Sequence, residues 1–248
     1  MKHQLKLFCG VAALALAGQA VAATTWTLRP GPDPTTSGGV NAYTVGDANT
    51  AVDLQMLETQ TSSLYTGGIG ITNNDACSTS GCSGGYGDAT TPEHAIDNNG
   101  RYEMALVSFK DQSDNLVSVN LTGLTIGWSK YDSDMTVLAY KGTGTATLVG
   151  KTYAELAADN DWKKIGNYQD VGSTSSTEVG GSLTITTDVS SSFWLIGAYN
   201  PIANPIGTWD DTTSTTSCSW SGCKTTTTQS YDYIKLSPNF GYQPTPSP

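Results

Sequence analysis

Two short stretches carry the residue types best suited to holding an ion. Asp97-Asn98-Asn99-Gly100 and Asp132-Ser133-Asp134 gather carboxylates and amides at expected turns. Calcium takes about six to eight oxygens from carboxylates, amides and backbone carbonyls. Asp97, Asn98, Asn99, Asp132 and Asp134 are therefore candidate calcium ligands. The same residues also build Asx turns between strands, and no EF-hand spacing is present. An ion here would stiffen loops, and nothing in the chain requires a cofactor.

Covalent catalysis finds less support. Gly81-Cys82-Ser83-Gly84-Gly85 matches the G-x-S-x-G pattern, but that pattern works only on a strand-to-helix turn. Here it lies in a Gly/Ser-rich loop. His94 is the single histidine outside the N-terminal segment, too few for a three-histidine metal site. It is expected to cap or pack at the start of a strand. Glycoside hydrolysis would need two carboxylates facing across a cleft. Glu93, Glu103, Asp97, Asp132 and Asp134 are the available acids, so no catalytic residue is assigned and a glycan-active hydrolase stands as an alternative.

Aromatic side chains offer a different chemistry. The chain has 6 Trp and 12 Tyr, and an exposed indole presents an apolar face with a polar N–H. Trp209 and Trp220 fall in loop contexts and are candidate sugar-stacking residues. Trp26, Trp128, Trp162 and Trp194 fall on expected strands and belong to the core.

The N-terminus reads as an export signal over residues 1–22. Lys2 and Lys6 precede a short apolar run, and Ala20-Val21-Ala22 supplies a small-x-small cleavage site. Cleavage after Ala23 is nearly equivalent. The run is too short for a permanent anchor. Cys9 precedes the apolar run and lacks the small residues of a lipoprotein site. Cleavage would leave Cys77, Cys82, Cys218 and Cys223 in two matching loops, CSTSGC and CSWSGC. An even count in an exported chain reads as disulfides. Of the possible connectivities, local Cys77–Cys82 and Cys218–Cys223 bridges are favoured. Zinc is the alternative, without a nearby histidine to support it.

The balance of 12 Lys+Arg against 22 Asp+Glu gives a net charge of −10. There is no basic run, which disfavours nucleic acid and anionic lipid as partners. Charged residues make up only 14 %; Ser, Thr, Gly and Asn supply the remaining polarity.

These residues need a scaffold, and the periodicity is that of strands. Val52/Leu54/Met56, Met104/Leu106 against Ala105/Val107/Phe109, Val117/Val119/Leu121, and Leu124/Ile126/Trp128 alternate with period two. Both faces of Tyr102–Phe109 are apolar, which predicts a central strand. Gly123 marks a bulge or bend. Further strands are expected at Trp26–Leu28, Ile69–Thr72, Met135–Tyr140, Trp162–Tyr168, around Leu183 and Ile185, at Phe193–Tyr199 and at Tyr231–Leu236. One helix is predicted, opened by a Thr152/Glu155 capping box. The Thr/Ser-rich stretch 212–230 reads as an exposed, disulfide-pinned loop that could carry O-linked sugar. This pattern predicts an all-β antiparallel sandwich, with jelly-roll topology favoured. The single domain is expected over 23–242, followed by a linker-like tail over 243–248.

Five ordered segments, GGIGITNND (67–75), HAIDNNGRYEMALVSF (94–109), LTGLTIGWS (121–129), DSDMTVLAY (132–140) and FWLIGAYNP (193–201), resemble the exosortase-dependent (PEP-CTERM-type) bacterial surface proteins. The resemblance covers roughly Trp26 to Tyr242. It implies an exported β-sandwich at the surface of an exopolysaccharide-producing Gram-negative bacterium, with a structural or adhesive role. It also implies a C-terminal Pro-Glu-Pro motif, apolar helix and basic cluster read by a sorting enzyme. The sequence as given ends at Pro248 without them, so that partner is expected only where such a tail exists. A carbohydrate-binding module is the alternative reading.

Overall fold

Alternating β-branched and aliphatic residues, cut by Gly, Asn and Asp, produce strands throughout. The computed structural model describes residues 24–27, 29–30, 39–47, 58–72, 94–99, 101–110, 115–205, 212–220 and 222–244. The strands are β1 (Thr24–Thr27), β2 (Arg29–Pro30), β3 (Gly39–Asp47), β4 (Glu58–Tyr65), β5 (Gly68–Thr72), β6 (Ile96–Asp97), β7 (Arg101–Ser108), β8 (Val119–Ser129) and β9 (Met135–Tyr140). After helix α1 (Tyr153–Ala158) come β10 (Trp162–Tyr168), β11 (Val179–Thr184), β12 (Phe193–Ala198), β13 (Thr212–Ser219), β14 (Gly222–Gln229) and β15 (Tyr233–Pro244).

The main path runs β10-β9-β12-β7-β3-β4-β5-β15-β8-β11, with β1 and β6 also on β15 and β2 on β3. Among the described strands, every strand pairing is antiparallel except the short β2–β3 contact. The sheet folds over at β4, which pairs with β3 on one side and β5 on the other. The halves β10-β9-β12-β7-β3 and β5-β15-β8-β11 thus form two layers around a shared core. The all-β, antiparallel expectation with one short helix holds; the strand order does not by itself define a jelly roll.

The central core takes one face of each strand: Ala105 and Val107 from β7, Val137 and Ala139 from β9, Trp194 and Ile196 from β12, Leu121 and Ile126 from β8, and Ile234 and Leu236 from β15. The opposite face of β7, β9 and β12 is also covered. Met104, Leu106, Leu138 and Leu195 lie under Tyr153 and Leu156 of the helix. This explains why β7 and β12 read as apolar on both faces, since each sits inside the sheet with material on both sides. Leu195→Ala would lose about 2–5 kcal/mol at such a site.

Local signals also hold. Thr152 Oγ1 accepts from Glu155 N–H, and Glu155 Oε2 accepts from Thr152 N–H, closing the predicted capping box. The ladder between β8 and β15 skips Thr122, next to Gly123 where a bulge or bend is expected. Gly67 makes the β4–β5 turn at φ 91°, where a Cβ would meet Trp128 Cβ at 2.5 Å.

Three expectations differ. Residues 212–230 are not an irregular loop: β13 and β14 pair in continuous register from Thr212↔Gln229 to Ser219↔Gly222. Threonine is β-branched and favours extended backbone, so a Thr/Ser run makes strand where polarity alone reads as loop. The last strand is longer than expected and reaches Pro244, with Gln243 and Pro244 opposite Asn120 and Val119. It passes Pro238 by a register shift between Leu236 and Phe240, as a residue without an N–H requires. Trp128 is only partly buried, unlike Trp162 and Trp194. It lies on the outer face, with Lys235 Nζ 4.9 Å from its ring. The expected strand through Val52, Leu54 and Met56 lies outside the described residues, as do the export signal and residues 245–248.

Candidate functional site: an acidic end and a projecting hairpin

The strand registers bring one set of turns together. Ser129 closes β8 opposite Val179 and Ile234, and Met135 opens β9 opposite Tyr168 and Ala198. The β8–β9 turn, the β10–β11 loop, the end of β12 and the start of β15 therefore share one end of the body. β6 joins them through Asp97↔Tyr233.

This end is acidic and buried. Asp97, Asp132, Asp134 and Asp232 are 6 %, 4 %, 1 % and 4 % exposed. One oxygen from each of Asp132, Asp134 and the exposed Asp170 lies within 4.8 Å of the others. Such a grouping is able to hold a cation. Asp134 Oδ1 accepts from Asp170 N–H at 2.8 Å. Asp132 Oδ1 accepts from Ser133 N–H at 2.8 Å.

Asp232 binds the group to the rest of the fold. Its Oδ1 accepts from Asp134 N–H at 2.7 Å, and its Oδ2 accepts from Asn98 Nδ2 at 2.6 Å. Asp232 N–H donates back to Asn98 Oδ1 at 2.9 Å, and Asn98 Nδ2 also reaches the Tyr199 carbonyl at 3.2 Å. Burial pushes the Asp232 carboxyl well above the usual range, and the charges of Asp132 and Asp134 push it further. The two hydrogen bonds act in the opposite direction. Three buried serines fasten the β10–β11 loop here. Ser133 Oγ donates to Ser173 O and accepts from Gly172 N–H, while Ser129 Oγ donates to Val179 O and accepts from Ser173 N–H.

Of the expected calcium ligands, Asp132 and Asp134 come together. Asp97, Asn98 and Asn99 lie beside them with other engagements. Asp97 Oδ1 accepts from Asn99 N–H at 2.9 Å, the Asx turn that was the competing reading. Asn98 is held by Asp232, and Asn99 Nδ2 donates to Tyr233 Oη at 2.8 Å. Asp170 and Asp232 escaped the sequence reading. The one available signal was Asp232 between Tyr231 and Tyr233 at a strand start, an acid among apolar neighbours.

The hairpin leaves the body between the acidic end's last two segments. β13 and β14 pair with each other and form a separate two-stranded sheet. Cys218 and Cys223 face each other in that register and form a disulfide of 2.04 Å. Trp220 sits at the turn, fully exposed. Thr216 and Thr225 hydroxyls lie 2.9 Å apart across the strands. Trp209, Cys77, Cys82, Gly100, Glu93 and the 81–85 motif lie outside the described residues.

Glu103 is wholly buried, and its Oε2 accepts from Asp97 N–H at 3.1 Å. His94 stacks on Tyr65 with ring centroids 4.3 Å apart, at φ 59°. Among the described residues no helix is long and apolar enough to cross a membrane. No protein-family model matches the chain, and neither a curated protein nor a solved structure matches it.

Proposed function

We propose that this chain is an exported, non-enzymatic surface or extracellular-matrix protein, structural and adhesive, that contacts exopolysaccharide through the β13–β14 hairpin. The observation that carries the reading is the hairpin itself. A disulfide fixes the turn, and the turn presents a fully exposed indole, flanked by two strands of threonine and serine hydroxyls. An indole face packs against the C–H face of a sugar ring, and hydroxyls meet its polar edge. The formed Cys218–Cys223 bridge is consistent with export. The exosortase-dependent assignment rests on the five resembling segments, and a sorting enzyme is a partner only of a chain that carries the C-terminal signal.

Within this reading calcium occupies the acidic end as a structural ion. Asp132, Asp134 and Asp170 would supply the oxygens, and the cation would offset the charge crowded around Asp232. Asp232 lies three residues beyond the end of β14, so an ion here would fasten the hairpin's root. The second reading, a carbohydrate-binding module, is favoured by the same Trp220. It differs in requiring saturable, glycan-specific binding, whereas an adhesive matrix protein tolerates many polymers.

The test is co-sedimentation of the full chain with exopolysaccharide, with Trp220→Ala alongside. The reading expects retention of the wild type and loss in the variant, with no new reducing ends released. Wild-type protein left wholly in the supernatant, or reducing ends released by it, would overturn the reading.

A further inference from the structure

At the end of the body opposite the acidic turns lies a cleft of about 330 Å³. It forms where β9 ends, β8 begins and β12 begins, and its walls come from Tyr140, Lys141, Gly142, Ser118, Ser190 and Ser192 with their neighbours. We infer that this cleft binds one pyranose ring of a polysaccharide. The inference rests on the proposed polysaccharide contact but concerns a site distinct from the hairpin.

Ser191 makes the cleft rigid. Its backbone pairs with Val119 in both directions, at 2.9 and 3.0 Å, and its hydroxyl donates to the Tyr140 carbonyl at 2.5 Å. One buried residue, through backbone and side chain together, thus ties together all three segments that meet at the cleft. Ser190 and Ser192 line the cleft on either side of Ser191, and both are part-exposed. Ser190 Oγ lies 2.9 Å from Ser118 Oγ, which places two hydroxyls side by side on one wall.

Tyr140 adds an aromatic ring to the lining. Its ring is held against Trp162 at 5.3 Å and edge-on to Phe193 at 6.1 Å. Gly142 leaves room for it, since a Cβ there would collide with Tyr140 Oη. Lys141 adds an exposed ammonium on the same rim.

The lining decides the ligand class. The volume lies at the small end of ligand sites, room for one ring and little more. Serine hydroxyls and an aromatic ring in one lining match the polar edge and C–H face of a sugar. A purely apolar ligand would leave those hydroxyls without water. A polyanion is disfavoured as well: Lys141 is the only cation in the lining, and Asp161 Oδ2 lies 2.7 Å from the Cβ position at Gly142.

The experiment is a titration of the ¹⁵N-labelled full chain with methyl glycosides of glucose, galactose, mannose and glucuronic acid, followed by amide shifts. The expected result is saturable shifts at residues 141–144 and 190–193 for at least one glycoside, retained in Trp220→Ala. The double variant Ser118→Ala/Ser190→Ala should bind at least about tenfold more weakly. Neither side chain is buried, so its fold should persist, checked by its amide spectrum. No saturable shift at these amides, or unchanged affinity in the double variant, would overturn the inference. Polymer retention without glycoside shifts would refute the cleft and leave the hairpin reading standing. Cleft shifts without polymer retention would do the reverse.

Discussion

Asn98 and Asp232 lie 134 positions apart and exchange two hydrogen bonds. Cys218 and Cys223 lie 5 apart and share a covalent bond. The acidic end is therefore a product of the whole fold, assembled from five segments that meet only once both layers have packed. The hairpin is a product of its own sequence, with its register and turn set within two strands. Folding stability should reside in the first, and ligand contact in the second. The contrast sets a buried cluster built from distant segments against an exposed element built from adjacent residues.

The sharpest way to break the contrast is at Asn98. Asn98→Ala removes its bonds to Asp232 and Tyr199 and leaves a buried carboxyl with weaker support. A loss of about 3 kcal/mol is expected, or roughly 6–12 °C in Tm for a chain of this size, read by thermal unfolding. Calcium should act next most strongly. At about a hundredfold excess over Kd, an ion bound only by the folded state adds about 2.7 kcal/mol. Identical melting curves in calcium and in chelator would remove the ion from the account.

A pH series then sharpens the electrostatics. The folded Asp232 carboxyl is raised above its unfolded value of about 4. Its contribution to stability is full below that unfolded value and is lost as pH rises toward the folded one. In chelator, lowering pH from 7 to 5 should therefore raise Tm in the wild type relative to Asp232→Asn. Asp132, Asp134, Asp170 and Asn98 face the same space, so the difference between the two proteins is the quantity to read. A flat difference would contradict the buried, like-charge environment.

The hairpin should respond the other way. Cys218→Ser/Cys223→Ser should leave the main unfolding transition within about 0.5 kcal/mol while amide exchange within 212–229 speeds up. Trp220→Ala should change stability least of all, also within about 0.5 kcal/mol, yet abolish retention on polysaccharide. A large drop in Tm for either variant would mean that the hairpin belongs to the body.

Much of the body was legible because period-two patterns are local. Met104/Leu106 against Ala105/Val107 announced a strand covered on both faces, and the Thr152/Glu155 box announced the helix start. Gly123 announced the bulge next to it. The hairpin was misread because threonine is both a loop-like polar residue and a β-branched one, and periodicity cannot separate an all-polar strand from a loop. At the acidic end, Asp132 and Asp134 were visible as a cluster, being two residues apart. Asp170 and Asp232 were not, since only strand register brings residues so distant in sequence to the same turn. Asn98 reads locally as a candidate ligand, and its hydrogen bonds to Asp232 depend on a partner elsewhere in the chain.

The most direct measurement is hydrogen exchange of the full chain with and without exopolysaccharide. The account predicts new protection at residues 214–227, around the disulfide and Trp220, with β7 unchanged. No new protection at the hairpin, or new protection confined to the acidic end, would contradict the claim that the hairpin makes the contact.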